Sequence, residues 1–403
     1  MTTATTTMER HRAWRGPAVL SFGFRPFFLL GAVWAALAMA LWVPMLAGKL
    51  ALPTAFDPVT WHAHEFLFGY LAAIIAGFLL TAVPNWTGRL PVTGWPLAGL
   101  TALWIAGRAS VTFSEGLPPF VVALADLALV AALTVLLGRE IVVGKNWRNL
   151  PVVGLLMLFG CANALFHWES ATGAYAAQGM GLRLGLAAVL MMIAVIGGRI
   201  VPSFTRNWLA KQDAGRLPVP PMQRFDLFVL GVMLAALMAW VVAPFAPLTG
   251  IALALAGLAH LARMARWAGD RTLAEPLVLV LHIGYVFIPL GALAGAAEIL
   301  GNGWVGAGSA QHLWMAGGIG LMTLAVMTRS TLGHTGRALT AGRGTVAIYA
   351  AVICAALSRI GAGAWPEAAG TLHSLSGASW IAAFAGFAAI YGPMLLRPRS
   401  TAG

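Results

Sequence analysis

Trp61-His62-Ala63-His64-Glu65 places two imidazoles and a carboxylate at the mouth of an apolar run that ends at Pro84. Ionisable side chains in such a run cost free energy and mark ligand, ion or proton sites. Histidine is the commonest metal ligand among the side chains. At 100° per residue, His62 and His64 point about 200° apart on an ideal helix, so they serve different partners. Glu65 lies three residues after His62 and flanks it, in position to orient its ring as a hydrogen-bond acceptor.

The elements that hold these groups are membrane helices. Of 403 residues, 60% are hydrophobic and 9% charged, against about a quarter charged in soluble domains. Apolar runs of about twenty residues recur along the chain, each long enough to cross roughly 30 Å of hydrocarbon. They are continuous rather than alternating, which selects helices over a barrel. The expected fold is an all-α integral membrane protein with twelve spans: 27–47, 62–84, 95–112, 117–138, 150–168, 178–202, 225–243, 247–268, 276–299, 309–328, 344–362 and 374–396. Residues 27–396 form one membrane domain between tails 1–26 and 397–403. Met1 to Thr7 is polar and no cleavable signal peptide is expected. The two cysteines, Cys161 and Cys354, lie in separate apolar runs and read as small core residues. Without a CxxC pair, a zinc ribbon or covalent haem attachment is excluded.

The net charge of +12 does not point to nucleic acid, because the basic residues are spread over short loops. With both termini cytoplasmic, all of the 25 basic residues except Lys49, Arg108, Arg183 and Arg359 fall in inner segments or inner helix ends, as the positive-inside rule requires. Spans two, six and ten end in similar Gly, Arg and Thr-rich sequences (Pro84 to Arg89, Gly198 to Arg206, Thr328 to Arg337), which suggests three four-helix units with sites between them.

This topology sets depth. Toward the outer face lie His62, His64, Glu65, Arg108, His167, Arg183, Glu298, His312, Arg359 and His373. A single histidine at a helix end is usually a hydrogen-bonded interfacial residue; five at one level favour a metal or haem. The expected assignment is His64 and His312 on haem iron, with His62 and Glu65 at a neighbouring metal or proton site. Arg108, Arg183 and Arg359 are candidates for anionic propionates, or snorkel singly to the interface. Toward the inner face His260 and His282, with Tyr285 one turn on and His334 in the next inner loop, form either a second site or a pair of core histidines. Asp126, in mid-helix, reads as a proton-relay group or a counter-ion to an arginine. Met191-Met192 reads as packing, and His11 as an inert tail residue.

Phe24 to Phe28, Trp61 to Glu65, Phe78 to Arg89, Gly197-Gly198-Arg199, Leu281 to Tyr285 and Met327 to Arg337 together resemble the NnrS family over nearly the whole chain. The resemblance implies haem and copper, a bacterial inner membrane, and a role in nitric oxide metabolism and relief of nitrosative stress. The chain is also similar to the catalytic subunit of haem–copper oxidases and nitric oxide reductases, which have twelve helices in three four-helix arcs and haem-ligating histidines on helices two and ten. It departs from them in having no His-His pair, no histidine on helices six or seven, and one on helix ten. The usual copper or iron centre beside a high-spin haem therefore lacks its ligands.

Three functions compete. One is a membrane protein with haem b, and with copper, that binds or helps detoxify nitric oxide delivered through the lipid bilayer. Another is a metal or small-solute transporter using intramembrane His and Glu. The third is a factor that assembles another metalloenzyme. No electron donor is specified.

Overall fold

The computed structural model describes residues 14–212, 215–301 and 306–399; His11 lies outside them. The described elements are helical, with no strand among them. The long helices are α1 (Phe24–Leu46), α2 (Pro58–Thr87), α3 (Trp95–Thr112), α4 (Pro119–Val143), α5 (Trp147–Ala171), α6 (Met180–Leu209), α7 (Arg224–Val242), α8 (Pro247–Ala265), α9 (Pro276–Ile299), α10 (Gly308–His334), α11 (Arg343–Ala364) and α12 (Pro366–Leu396). Eleven are long and apolar enough to cross a membrane. The exception is α3, whose apolar run is diluted by Thr101, Arg108, Ser110 and Thr112. The chain is an all-α integral membrane protein.

Local chemistry sets the helix ends. Asp57 caps α2, its carboxylate accepting from Val59 N at 3.0 Å and Thr60 N at 3.1 Å, with Pro58 at the first helical position, where a missing N–H costs nothing. Gly88, at φ +70°, closes the same helix in the left-handed region, as glycine can.

Three helices contain a π-helical stretch: α2 at Glu65–Tyr70, α6 at Ile193–Gly197 and α10 at Leu313–Gly320. These are the three whose endings are similar in sequence. Such widened turns often accompany functional sites. In each of them a carbonyl of the stretch accepts from a side chain; in α10, Ile319 O takes Thr323 Oγ1 at 2.7 Å. Gly69 O takes Trp104 Nε1 at 2.9 Å, and Ala194 O takes Arg263 Nη1 at 3.0 Å.

By compactness the chain divides in two. The first unit comprises residues 1–186, 330–337 and 384–403; the second comprises 187–329 and 338–383. In the first, buried Arg25 of α1 donates from Nη1 to Leu395 O at 2.9 Å and Arg397 O at 2.7 Å. It thereby satisfies carbonyls at the end of α12 that have no intrahelical partner. His334 packs between Phe22 and Phe24, with ring centroids 5.4 Å from each. In the second, Trp240 meets Trp314 edge to face at 5.3 Å. Cys354 lies near Ser358 and Ser379, whereas Cys161 is exposed rather than in the core as expected, because its side of α5 carries no partner helix.

Arg25→Met removes the charge-assisted hydrogen bonds to Met394 O, Leu395 O and Arg397 O. It is expected to destabilise the protein by about 2–3 kcal/mol, read as a lower midpoint of thermal unfolding in detergent.

Candidate metal centre

Asp126, in the middle of α4, is the point on which the first unit's polar groups converge. Its Oδ2 lies 3.0 Å from His64 Nε2, 3.1 Å from His167 Nε2 and 2.7 Å from Asn163 Nδ2. Its Oδ1 accepts from Arg108 Nη2. Four helices contribute: α2 (His64), α3 (Arg108), α4 (Asp126) and α5 (Asn163 and His167). On α5 the amide and imidazole are four residues apart and share a face.

Glu65 forms the second node. Its Oε1 meets His64 Nδ1 at 3.1 Å and accepts from Arg108 Nη1. Its Oε2 accepts from Trp34 Nε1 of α1 at 2.6 Å. Arg108 thus bridges two carboxylates, and Glu65, Arg108, Asp126, His64 and His167 are all buried. Burying each ion costs several kcal/mol. A pair of unit charges 4 Å apart recovers about 4 kcal/mol at an effective dielectric near 20. One guanidinium cannot offset two carboxylates, so the Trp34, Asn163 and imidazole contacts are needed as well. Gly69 makes the close approach possible. A Cβ there would come within 2.5 Å of Glu65 Oε2 and 2.6 Å of Arg108 Nη1.

The ligand atoms of His64, Asp126 and His167 all lie within 4.8 Å of one another. Two imidazoles and a carboxylate are the donor set of open-sided divalent metal sites. The outer contacts follow the pattern that supports such ligands: Glu65 holds the far nitrogen of His64, and Arg108 holds the far oxygen of Asp126. Among the described residues no other group of three His, Cys, Asp or Glu side chains comes together this closely.

The remaining expected residues lie elsewhere. His62 stacks on Trp42 with centroids 3.9 Å apart, facing away from His64 as the helical angle requires. Glu65 serves His64, Arg108 and Trp34 instead of flanking His62, because a carboxylate beside a buried guanidinium gains more than one beside a half-buried ring. Arg183 Nη1 donates to Gln178 O at 2.6 Å. His312 lies in the second unit with Nδ1 2.5 Å from Gly308 O, and Arg359 donates there to Ser309 Oγ at 3.1 Å.

Of the two histidines expected on haem iron, His64 lies in the first unit and His312 in the second. Both ring nitrogens of His64 face carboxylates, and Phe56, Phe68, Phe166 and His167 surround the ring at centroid distances of 5.0–5.7 Å. Both Nη groups of Arg108 are on carboxylates, and its Nε has no hydrogen-bond partner. The inner histidines take separate partners. His260 Nδ1 is 3.1 Å from Tyr285 Oη, and His282 Nε2 is 2.8 Å from Thr205 Oγ1. Arg263 joins Tyr285 to Asp226 of α7. His334 is part of the aromatic packing on Phe22 and Phe24.

The NnrS protein family profile matches residues 18–399. The chain belongs to the NnrS family. No curated protein matches it. For this NnrS chain the sequence had marked His64, Glu65, Arg108, Asp126 and His167 one by one. Nothing in the sequence singles out Trp34, and the signal for Asn163 is its four-residue spacing from His167.

Asp126→Asn is expected to destabilise the NnrS chain by about 2–3 kcal/mol, because it takes one of the two carboxylates from Arg108, which keeps Glu65, and removes the charged acceptor shared by His64, His167 and Asn163. The double variant Asp126→Asn/Arg108→Gln should lose less than the sum of the single variants. Thermal unfolding of the four proteins in detergent measures both.

Proposed function

We propose that this chain is a membrane metalloprotein of the nitric oxide response, and that His64, Asp126 and His167 hold a transition-metal ion to which the gas binds. The observation that carries the reading is the convergence of two imidazoles on one buried carboxylate oxygen. The ion would supply a Lewis-acidic position. The chain's own residues do the rest. Asn163 fills the polar space beside the ligands. Glu65, fixed by Trp34 and Arg108, sets the orientation of His64. Phe56, Phe68 and Phe166 keep water out and offer an apolar approach, which suits a neutral diatomic that partitions into the bilayer.

The donor set has no sulfur, so a borderline ion such as iron(II), zinc or copper(II) suits it better than copper(I). The basic bias of the inner segments supports an inner-membrane location with both termini cytoplasmic.

The test is metal analysis by mass spectrometry of detergent-purified protein, with nitric oxide binding followed optically. About one metal per chain is expected. His64→Ala, His167→Ala and Asp126→Ala should each lower occupancy at least tenfold, while His282→Ala and His312→Ala leave it unchanged. Wild-type protein that is folded and metal-free after supply of each ion would overturn the reading and favour transport or assembly. Retention of metal in the three site variants would place the centre elsewhere.

A further inference from the structure

The charge count of the centre predicts what else it holds. Glu65 and Asp126 bring two negative charges and Arg108 one positive. Metal-bound imidazoles are neutral. With a divalent ion the cluster therefore carries one net positive charge, in surroundings whose low dielectric magnifies it. A neutral ligand leaves that charge standing, whereas a monoanion cancels it.

A second observation is independent of the charge. Buried polar groups are nearly always hydrogen-bonded, and each exception needs a reason. Four buried polar atoms without a partner in this unit belong to residues in or beside the centre: Arg108 Nε, Thr60 Oγ1, Trp61 Nε1 and Thr112 Oγ1. Thr60 is one turn before His64 on α2, Trp61 one turn before Glu65, and Thr112 one turn after Arg108 on α3, so each shares a helix face with a residue of the centre. All four are able to donate a hydrogen bond, and the arginine and indole can only donate. A donor-rich, positively charged surround calls for an acceptor.

We propose that the metal-loaded centre binds a small monoanion of the nitrite or azide class, with Arg108 as its electrostatic anchor and the orphaned donors of α2 and α3 as its hydrogen-bond partners. This rests on the metal reading above. It makes the anion the ligand with which a neutral gas competes.

The probe is sodium azide titrated into cobalt(II)-loaded protein in detergent, followed by the cobalt d–d and charge-transfer bands, with metal content checked in each sample. Wild type should give a saturable change at one azide per metal, and nitrite should displace it. Arg108→Gln should weaken azide at least tenfold, with Arg108→Lys in between. Should Arg108→Gln fail to fold, Glu65→Gln gives the opposite sign: removing a negative charge should tighten azide several-fold, whereas loss of hydrogen bonding alone would not. Azide affinity equal in all these proteins, or no azide response in protein that retains cobalt, overturns the proposal and leaves the metal reading intact. Absence of cobalt from folded wild type overturns the metal reading itself.

Discussion

A carboxylate in the middle of a membrane helix must be neutralised or compensated, and the first unit is arranged around compensating Asp126. Its two oxygens collect a guanidinium, two imidazoles and an amide from three other helices. The same guanidinium reaches Glu65, which draws in α1 through Trp34. Apolar packing between helices in a bilayer gains little from the hydrophobic effect, so polar contacts of this kind set which helices meet and at what rotation. One buried charge thereby specifies the mutual placement of five helices.

The widened turn of α2 begins immediately after His64. An ideal helix would send neighbouring side chains well apart. Here His64 and Glu65 both face the polar cluster, and the glycine at position 69 leaves room for the guanidinium between them. The backbone irregularity and the absence of a side chain at Gly69 serve the same end. Trp104 occupies the carbonyl of Gly69, so the distortion leaves no unmet acceptor there.

The helices were legible in the sequence because continuous apolar runs of membrane length admit little else, and α3 was found despite its diluted run. What depth cannot supply is rotation and neighbourhood. His64 and His312 share a nominal level, yet His64 is committed to Glu65 and Asp126 and His312 to a backbone carbonyl. Asp126 as the counter-ion of an arginine was a correct alternative, because few other roles suit a lone carboxylate in mid-span. Asn163 escaped notice because a single amide in an apolar helix draws no attention until its partners are known. Tyr285 was read with His282, its neighbour in sequence, but it pairs with His260 on the preceding helix.

The first unit is not continuous in sequence. Its last portion is the end of α12, whose carbonyls receive Arg25, while everything that makes the metal centre is complete by the end of α5. A ribosome inserting this chain therefore releases a finished ligand set long before it releases the segment that closes the unit around it. The intervening helices are made while the two ends wait for each other. The polar centre of α1–α5 is complete in the chain before the segment that closes the unit is made.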